Sequence, residues 1–202
     1  ATISNGRRMS TAYCYLKPIK YRTNLTILSN AQTSSLILEK KKCKGVEFFH
    51  KGAIKKVMSL REVILCAGTI NSPQLLELSG IGRPEILKKA GIPLRHHLDG
   101  VGENLRDHYA PRTRWLIGKQ GVTYNDKAKG LGLFWQGLRY VFQQKGLMAN
   151  PIAPMRAFVK TRAGLEAPDA LLGWVPLLYE PNYKLSKTSG VTCYAHAMRP
   201  ES

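Results

Sequence analysis

Acidic residues are scarce in this sequence: 13 Asp and Glu stand against 31 Lys and Arg, which leaves a formal charge of +18 over 202 residues. Long apolar runs are missing as well. The best candidate, Ala170 to Tyr179, is bounded by Asp169 and Glu180 and broken by Pro176, far short of the ~20 residues a membrane helix needs. The first ten residues are polar and basic with no apolar core behind them, so they do not read as a secretory leader. Cysteine is limited to Cys14, Cys43, Cys66 and Cys193 with no CxxC, a spacing that suits reduced thiols and neither a zinc site nor a disulfide framework. No Gly-x-Ser-x-Gly elbow is present, so Ser72 and Ser79 lack the context of a hydrolase nucleophile. A complete dinucleotide fingerprint is also lacking: Gly80-Ile-Gly82 and Gly100-Val-Gly102 have no third glycine and do not open a helix after a strand. His96, His97 and His108 have no Cys or carboxylate at ligand spacing, so no metal site is expected and they are read as loop histidines bonded to backbone.

What remains is the composition of an ordinary globular chain, 44% hydrophobic and 22% charged. Its positive charge is concentrated early, with nine Lys and three Arg against two Glu in residues 1–60. An excess of this kind suits nucleic acid or an anionic membrane. Here the charges are scattered between apolar segments, which favours a solvated basic face. A basic nucleic-acid-binding module therefore stands as the alternative, and no nucleic acid is the expected partner.

The pattern of elements is mixed α/β. Asn24–Leu28, Ser35–Glu39, Gly45–Phe49 and Ile54–Ser59 read as strands separated by charged or Gly-containing turns. The middle three are more polar and suit an antiparallel meander. Glu62–Gly68 carries the continuous apolar core Val-Ile-Leu-Cys-Ala, the signature of a parallel strand buried on both faces. A helix follows, with Ser72 as its cap, Pro73 at its first position and Gly80 at its end. A second short helix starts at Pro84 and stops at Gly91. Leu94–Tyr109 is loop-like. Then come a strand at Arg112–Ile117 and a helix capped by Asn125 or Asp126 that runs to about Lys145. That helix carries an apolar face (Leu131, Phe134, Trp135, Leu138, Val141, Phe142) that is read as packing. Met155–Lys160, Ala170–Leu178 and Gly190–Met198 complete a second unit as strands, with Trp174 and Tyr179 assigned to its core.

The segment with chemical content is the strand that ends in Ala67-Gly68 and turns into a capped helix. Small residues at a strand's carboxyl edge let a ligand approach the backbone, and the positive end of the next helix favours an anionic group. Open α/β sheets bind ligands in such crevices. The run Gly68-Thr-Ile-Asn-Ser72-Pro73-Gln-Leu-Leu-Glu-Leu-Ser79-Gly80-Ile-Gly82 resembles the second signature of the glucose–methanol–choline (GMC) oxidoreductase family. Flanking blocks agree in order: Gly6-Arg-Arg-Met-Ser10, Arg22-Thr-Asn24-Leu25, Asp99 through His108, Thr123-Tyr-Asn125 and Met198 to Ser202. The choline-dehydrogenase-like branch is the most similar.

The resemblance implies an FAD-binding parallel sheet with its antiparallel meander, continuing into a substrate domain of sheet plus helices. Residues 1–110 would be the C-terminal part of the FAD-binding domain, and residues 111–202 part of the substrate domain. Ala67 and Gly68 would meet FAD through their backbone, and Thr33 falls where the family usually places a Val beside the adenine. The implied reaction is oxidation of a primary alcohol, choline or aliphatic, with hydride passing to flavin N5 and electrons going on to oxygen or a quinone-type acceptor. The pyrophosphate-binding GxGxxG would lie upstream and the catalytic His beyond Ser202, so no catalytic residue is expected here. The chain, opening at Ala1 without Met and stopping at Ser202, is expected to be an internal piece of a longer protein. A degenerate, non-catalytic family member is a further alternative. The expected location is the cytoplasm, with peripheral attachment to a membrane as a variant of it.

Overall fold

The computed structural model describes residues 3–182 and 184–201; Ala1 and Ser202, which mark the expected cut ends, lie outside them. In chain order the elements are β1 (Ile3–Ser4), β2 (Arg7–Arg8), a π-helical turn at Ala12–Leu16 running into α1 (Lys17–Ile19), β3 (Gln32–Glu39), β4 (Lys42–His50), β5 (Ala53–Met58), α2 (Gly68–Leu78), β6 (Ile81–Gly82), α3 (Pro84–Lys89), β7 (His96–His97), β8 (Arg112–Leu116), α4 (Tyr124–Lys127), α5 (Gly130–Gln143), β9 (Met155–Val159), β10 (Ala170–Val175) and β11 (Gly190–Ala197). Contacts divide the chain into two units: Thr26–Arg106 with the last two residues, and Ala1–Leu25 with Asp107–Pro200.

The first unit is the expected meander with its helices. β3, β4 and β5 pair antiparallel in sequence order. The β4–β5 connection is Lys51-Gly52, both at positive φ (51° and 78°), the two-residue turn whose twist matches the strands it joins. Phe48 is buried, as are Leu75 of α2, Leu87 of α3 and Val101. Ser79, just past α2, is buried too and joins helix to sheet. Its hydroxyl donates to the Leu75 carbonyl at 2.6 Å and accepts the Leu36 N–H of β3 at 2.8 Å. β6 and β7 form a short parallel pair, Ile81 with His96 and Gly82 with His97.

The second unit is an antiparallel sheet in the order β8-β11-β10-β9. Ala153, Val175 and Leu177 form its buried cluster, with Tyr124, Tyr179, Leu185 and Tyr194 packed around it. Asn125 is fully buried. Its amide nitrogen donates to the carbonyls of Leu178 (3.0 Å) and Ser186 (2.9 Å), and its oxygen accepts the Leu178 N–H at 2.9 Å. One side chain thus satisfies three backbone groups that have left the ladder.

Four sequence expectations are corrected. Asn24–Leu28 and Val63–Ala67 join no ladder among the described residues, because a strand needs a neighbour to take up its N–H and C=O groups and none runs beside them. Helix α2 starts at Gly68, four residues before Ser72. Ser72 serves its start from within, its hydroxyl accepting the Ala67 N–H at 3.1 Å. Pro73 lies inside the helix, which leaves the Thr69 carbonyl without a helical donor. The later helix is split into α4 and α5 and is capped by Thr123, whose capping box with Asp126 replaces a cap at Asn125 or Asp126. Finally, the apolar face of α5 is exposed, with no buried residue in that helix.

Hydrogen bonds from Ser189 and from the Thr123 hydroxyl draw the Asp126 carboxyl down from 3.8 to about 2. A carboxylate with a depressed folded value contributes stability that is complete above its unfolded value and lost as pH falls through the folded one. The Asp126 contribution should therefore persist at pH 4 and vanish near pH 2, and Asp126→Asn should remove that part of the acid unfolding limb in a circular-dichroism titration. Asn125→Ala takes the Asn125 bond from the Leu178 N–H and the Ser186 carbonyl, while the Leu178 carbonyl keeps the Ser186 N–H; it should cost about 2 kcal/mol in urea unfolding. A loss under ~0.5 kcal/mol would contradict the role given to Asn125.

Candidate cofactor-binding site

Two glycine-bearing segments that lie some thirty residues apart in sequence meet on one cleft in the first unit. One wall is a face of α2, with Thr69, Ile70, Pro73, Gln74 and Glu77; the other is the loop Gly102–Arg106. The cleft measures about 530 Å³. The two walls come close at Gly102, where a Cβ would lie 2.8 Å from Glu77 Oε1, the movable end of that side chain; the positive φ (79°) is what favours glycine there.

The loop is anchored from outside the cleft by Arg83. Its guanidinium donates to Glu103 at 3.1 Å and also pairs with Glu85 at the start of α3. These bonds, that to Glu85 foremost, raise the Arg83 pKa above its ordinary value. Glu85 is lowered by its own backbone N–H and by Arg83. All three side chains are well exposed, so the pairs set the geometry of the loop and add little stability.

Of the sequence-selected residues, Ala67 and Gly68 stand at the opening of α2, next to the cleft wall, and both are exposed. Gly68 has φ 88°, and the space around its missing Cβ is empty to 4 Å. Here the backbone requires glycine, and the surface beside it is open to a ligand. Thr33 lies at the beginning of β3, half-buried and paired with Phe48, beside an irregularity of register between Thr33 and Ser35. No hydrogen bond among the described residues joins Thr33 to Ala67 or Gly68.

The histidines sit apart from the cleft. His97 Nε2 lies 2.6 Å from the Asp99 carboxylate. His108 Nδ1 is 2.7 Å from the Ala197 carbonyl oxygen, and its ring stacks on His196 at 5.5 Å. Among the described residues no group of three or more His, Cys, Asp and Glu side chains could hold a metal ion. Likewise no described helix is long and apolar enough to cross a membrane. In the sheet unit Trp174 borders a mostly apolar hollow of about 250 Å³ with Leu172, Cys193 and Tyr194, and Tyr179 packs against the core.

Sequence reasoning missed the Ser79 link, the Asn125 hub and the convergence of the two glycine-bearing segments. Gly68 and Gly102 are both glycines at positive φ, but only the tertiary structure brings α2 and the loop after Gly102 to one cleft.

A family model described as GMC oxidoreductase matches residues 1–110. The chain belongs to the GMC oxidoreductase family. It is 36% identical over 198 residues to an oxygen-dependent choline dehydrogenase of Chromohalobacter salexigens, covering 98% of this chain and 35% of that protein. It is 39% identical over 178 residues to the protein of the same name from Photobacterium profundum, covering 87% of this chain and 31% of that one. The chain thus spans about a third of the length of the curated relatives it matches. Its fold is that of formate oxidase from Aspergillus oryzae (TM-score 0.86, 23% identity, 99% of this chain and 39% of the other). It is also that of pyridoxine 4-oxidase from Mesorbium loti (TM-score 0.75, 24% identity, 98% and 35%).

Two substitutions separate backbone strain from ligand access at Gly68. Gly68→Ala should destabilise by about 1 kcal/mol, because an alanine pays the left-handed conformation. Gly68→Asn should cost less, since asparagine tolerates positive φ. Equal effects in thermal unfolding would contradict the conformational account.

Proposed function

We propose that this chain is part of an FAD-dependent oxidoreductase acting on the CH–OH group of a primary alcohol, choline or an aliphatic alcohol. The observation that carries the reading is the cleft. Its walls are the two glycine-bearing segments, and beside it lie the exposed, small Ala67 and Gly68 at the start of an eleven-residue helix. The curated relatives named choline dehydrogenase support the substrate class. In this reading residues 1–110 are the C-terminal part of the FAD-binding domain and residues 111–202 part of the substrate domain.

The residues present fit the cofactor. Ala67 and Gly68 offer backbone where no Cβ obstructs, and Thr33 is assigned to the adenine end. Glu77, Glu103 and Arg106 line the cleft, and its two carboxylates can accept hydrogen bonds from ribose hydroxyls or an adenine amine. When bound, FAD supplies the acceptor for the hydride that leaves the carbinol carbon. This chain contributes binding and orientation; oxygen or a quinone-type compound is the final acceptor. A cytoplasmic location completes the reading, with peripheral membrane attachment as its variant.

The complete gene product should be yellow when purified, with a flavin spectrum in the visible. Gly68→Leu should cut its FAD content at least tenfold, about 1.4 kcal/mol of binding, with the fold retained by circular dichroism. A colourless protein that stays colourless after FAD is added would overturn the proposal. So would tight, salt-sensitive binding to DNA or RNA in its place, which would favour a basic nucleic-acid module. A flavin-loaded protein inactive on every primary alcohol tried would point to a non-catalytic member.

A further inference from the structure

The two walls of the cleft are held very differently. Helix α2 is fixed on the meander through Ser79. The loop wall is secure only up to Val101, which is buried and donates its N–H to the Leu98 carbonyl at 3.3 Å. Beyond that residue the backbone passes through positive φ twice, at Gly102 (79°) and Asn104 (57°). Among the described residues the backbone of Gly102–Arg106 makes one hydrogen bond, a long one from the Glu103 N–H to the Gly100 carbonyl at 3.4 Å. Leu105 is half exposed and adds little packing. One side-chain tether remains there: the Glu103 carboxylate accepts from Arg83 Nη1 at 3.1 Å. Arg83 is itself fixed, since its Nε donates to Glu85 at the start of α3 at 2.6 Å. A guanidinium carries its donors in a rigid fork, so the bond to Glu85 aims another donor at Glu103.

We propose that Gly102–Arg106 is a hinged wall of the cofactor cleft, and that Arg83 is the positioning residue that latches it, acting through Glu103. The inference rests on the reading of the cleft as an FAD site. With the latch made, Gly102 stays beside Glu77, and Glu103 and Arg106 stay on the cleft. With the latch broken, only the 3.4 Å backbone bond keeps the wall in place. Segments held by so few bonds open locally with small free energies. An exposed ion pair is weak, and that suits a latch. It biases the wall toward the closed position and still lets it open for the cofactor to enter and leave. Arg83 does not itself line the cleft, so its effect on the cofactor passes through the loop.

The test uses the complete gene product and has two arms. One is the rate of FAD release, followed by flavin fluorescence; the other is the rate of tryptic cleavage after Arg106, mapped by mass spectrometry. Arg83→Gln should speed both about three- to fivefold. Glu103→Ala should speed cleavage to the same degree, and the double variant should be cleaved no faster than either single one, the mark of a coupled pair. Lys56→Gln, which breaks the Lys56–Glu47 pair of the meander, should change neither rate. Additive effects on cleavage, or an equal effect of Lys56→Gln, would reduce Arg83 to a general stabiliser and overturn the proposal. So would an Arg106 bond equally resistant in every variant, since the wall would then not move. Faster cleavage with FAD release unchanged would show a latch with no hold on the cofactor, and would sink the proposal too. The arms keep the two readings apart: a protein that carries no flavin defeats the FAD reading, and cleavage after Arg106 then decides the latch by itself.

Discussion

The first unit depends on the hydroxyl of Ser79. A helix end and a strand edge both expose backbone groups that must be satisfied, and this one buried oxygen answers both, taking the Leu36 N–H while giving its proton to the Leu75 carbonyl. The bonds fix α2 on the meander at its C-terminal end. The N-terminal end of the helix, where Ala67 and Gly68 lie, is thereby held in place while remaining open. The cleft is a consequence. Because α2 is anchored at one end, the loop bearing Gly102 can close against its side at Glu77 and still leave room above.

The sheet unit solves the same problem with an amide. Asn125 sits where the chain after β10 departs from regular pairing, and its three bonds replace the missing ladder. The neighbouring Thr123–Asp126 box starts α4, and Asp126 also takes the Ser189 hydroxyl, so a helix start and a strand approach share one carboxylate. Ser79, Thr123 and Asn125 are buried polar groups at junctions between elements, where a lost hydrogen bond is not made up by water.

Local pattern made much of this legible. The three strands of the meander, the stops at Gly80, Gly91 and Gly146, and the strands of the second unit follow from alternation, turn residues and caps. Reading failed where the partner is remote. Val63–Ala67 has every local mark of a buried strand, yet its placement rests on neighbours that local pattern cannot supply. Ser72-Pro73 looks like a helix start, yet the backbone turns helical at Gly68, because Ser72 reaches back to the Ala67 N–H from inside the first turns. The stripe of α5 has the periodicity of a packing face. Periodicity reports which side chains share a face and is silent on which way that face turns.

The sequence by itself determined the family, through a run from Gly68 to Gly82 whose small, capping and apolar positions are each constrained by local backbone chemistry. It also determined the class of elements and the excess of positive charge. Tertiary structure alone decided that Gly102 meets Glu77 at a cleft beside the start of α2, that Ser79 links helix to sheet, and that the apolar side of α5 is exposed among the described residues. Each of those depends on contacts between residues far apart in the chain, and the energy of such contacts is set by distance and burial in three dimensions, which spacing along one dimension does not contain.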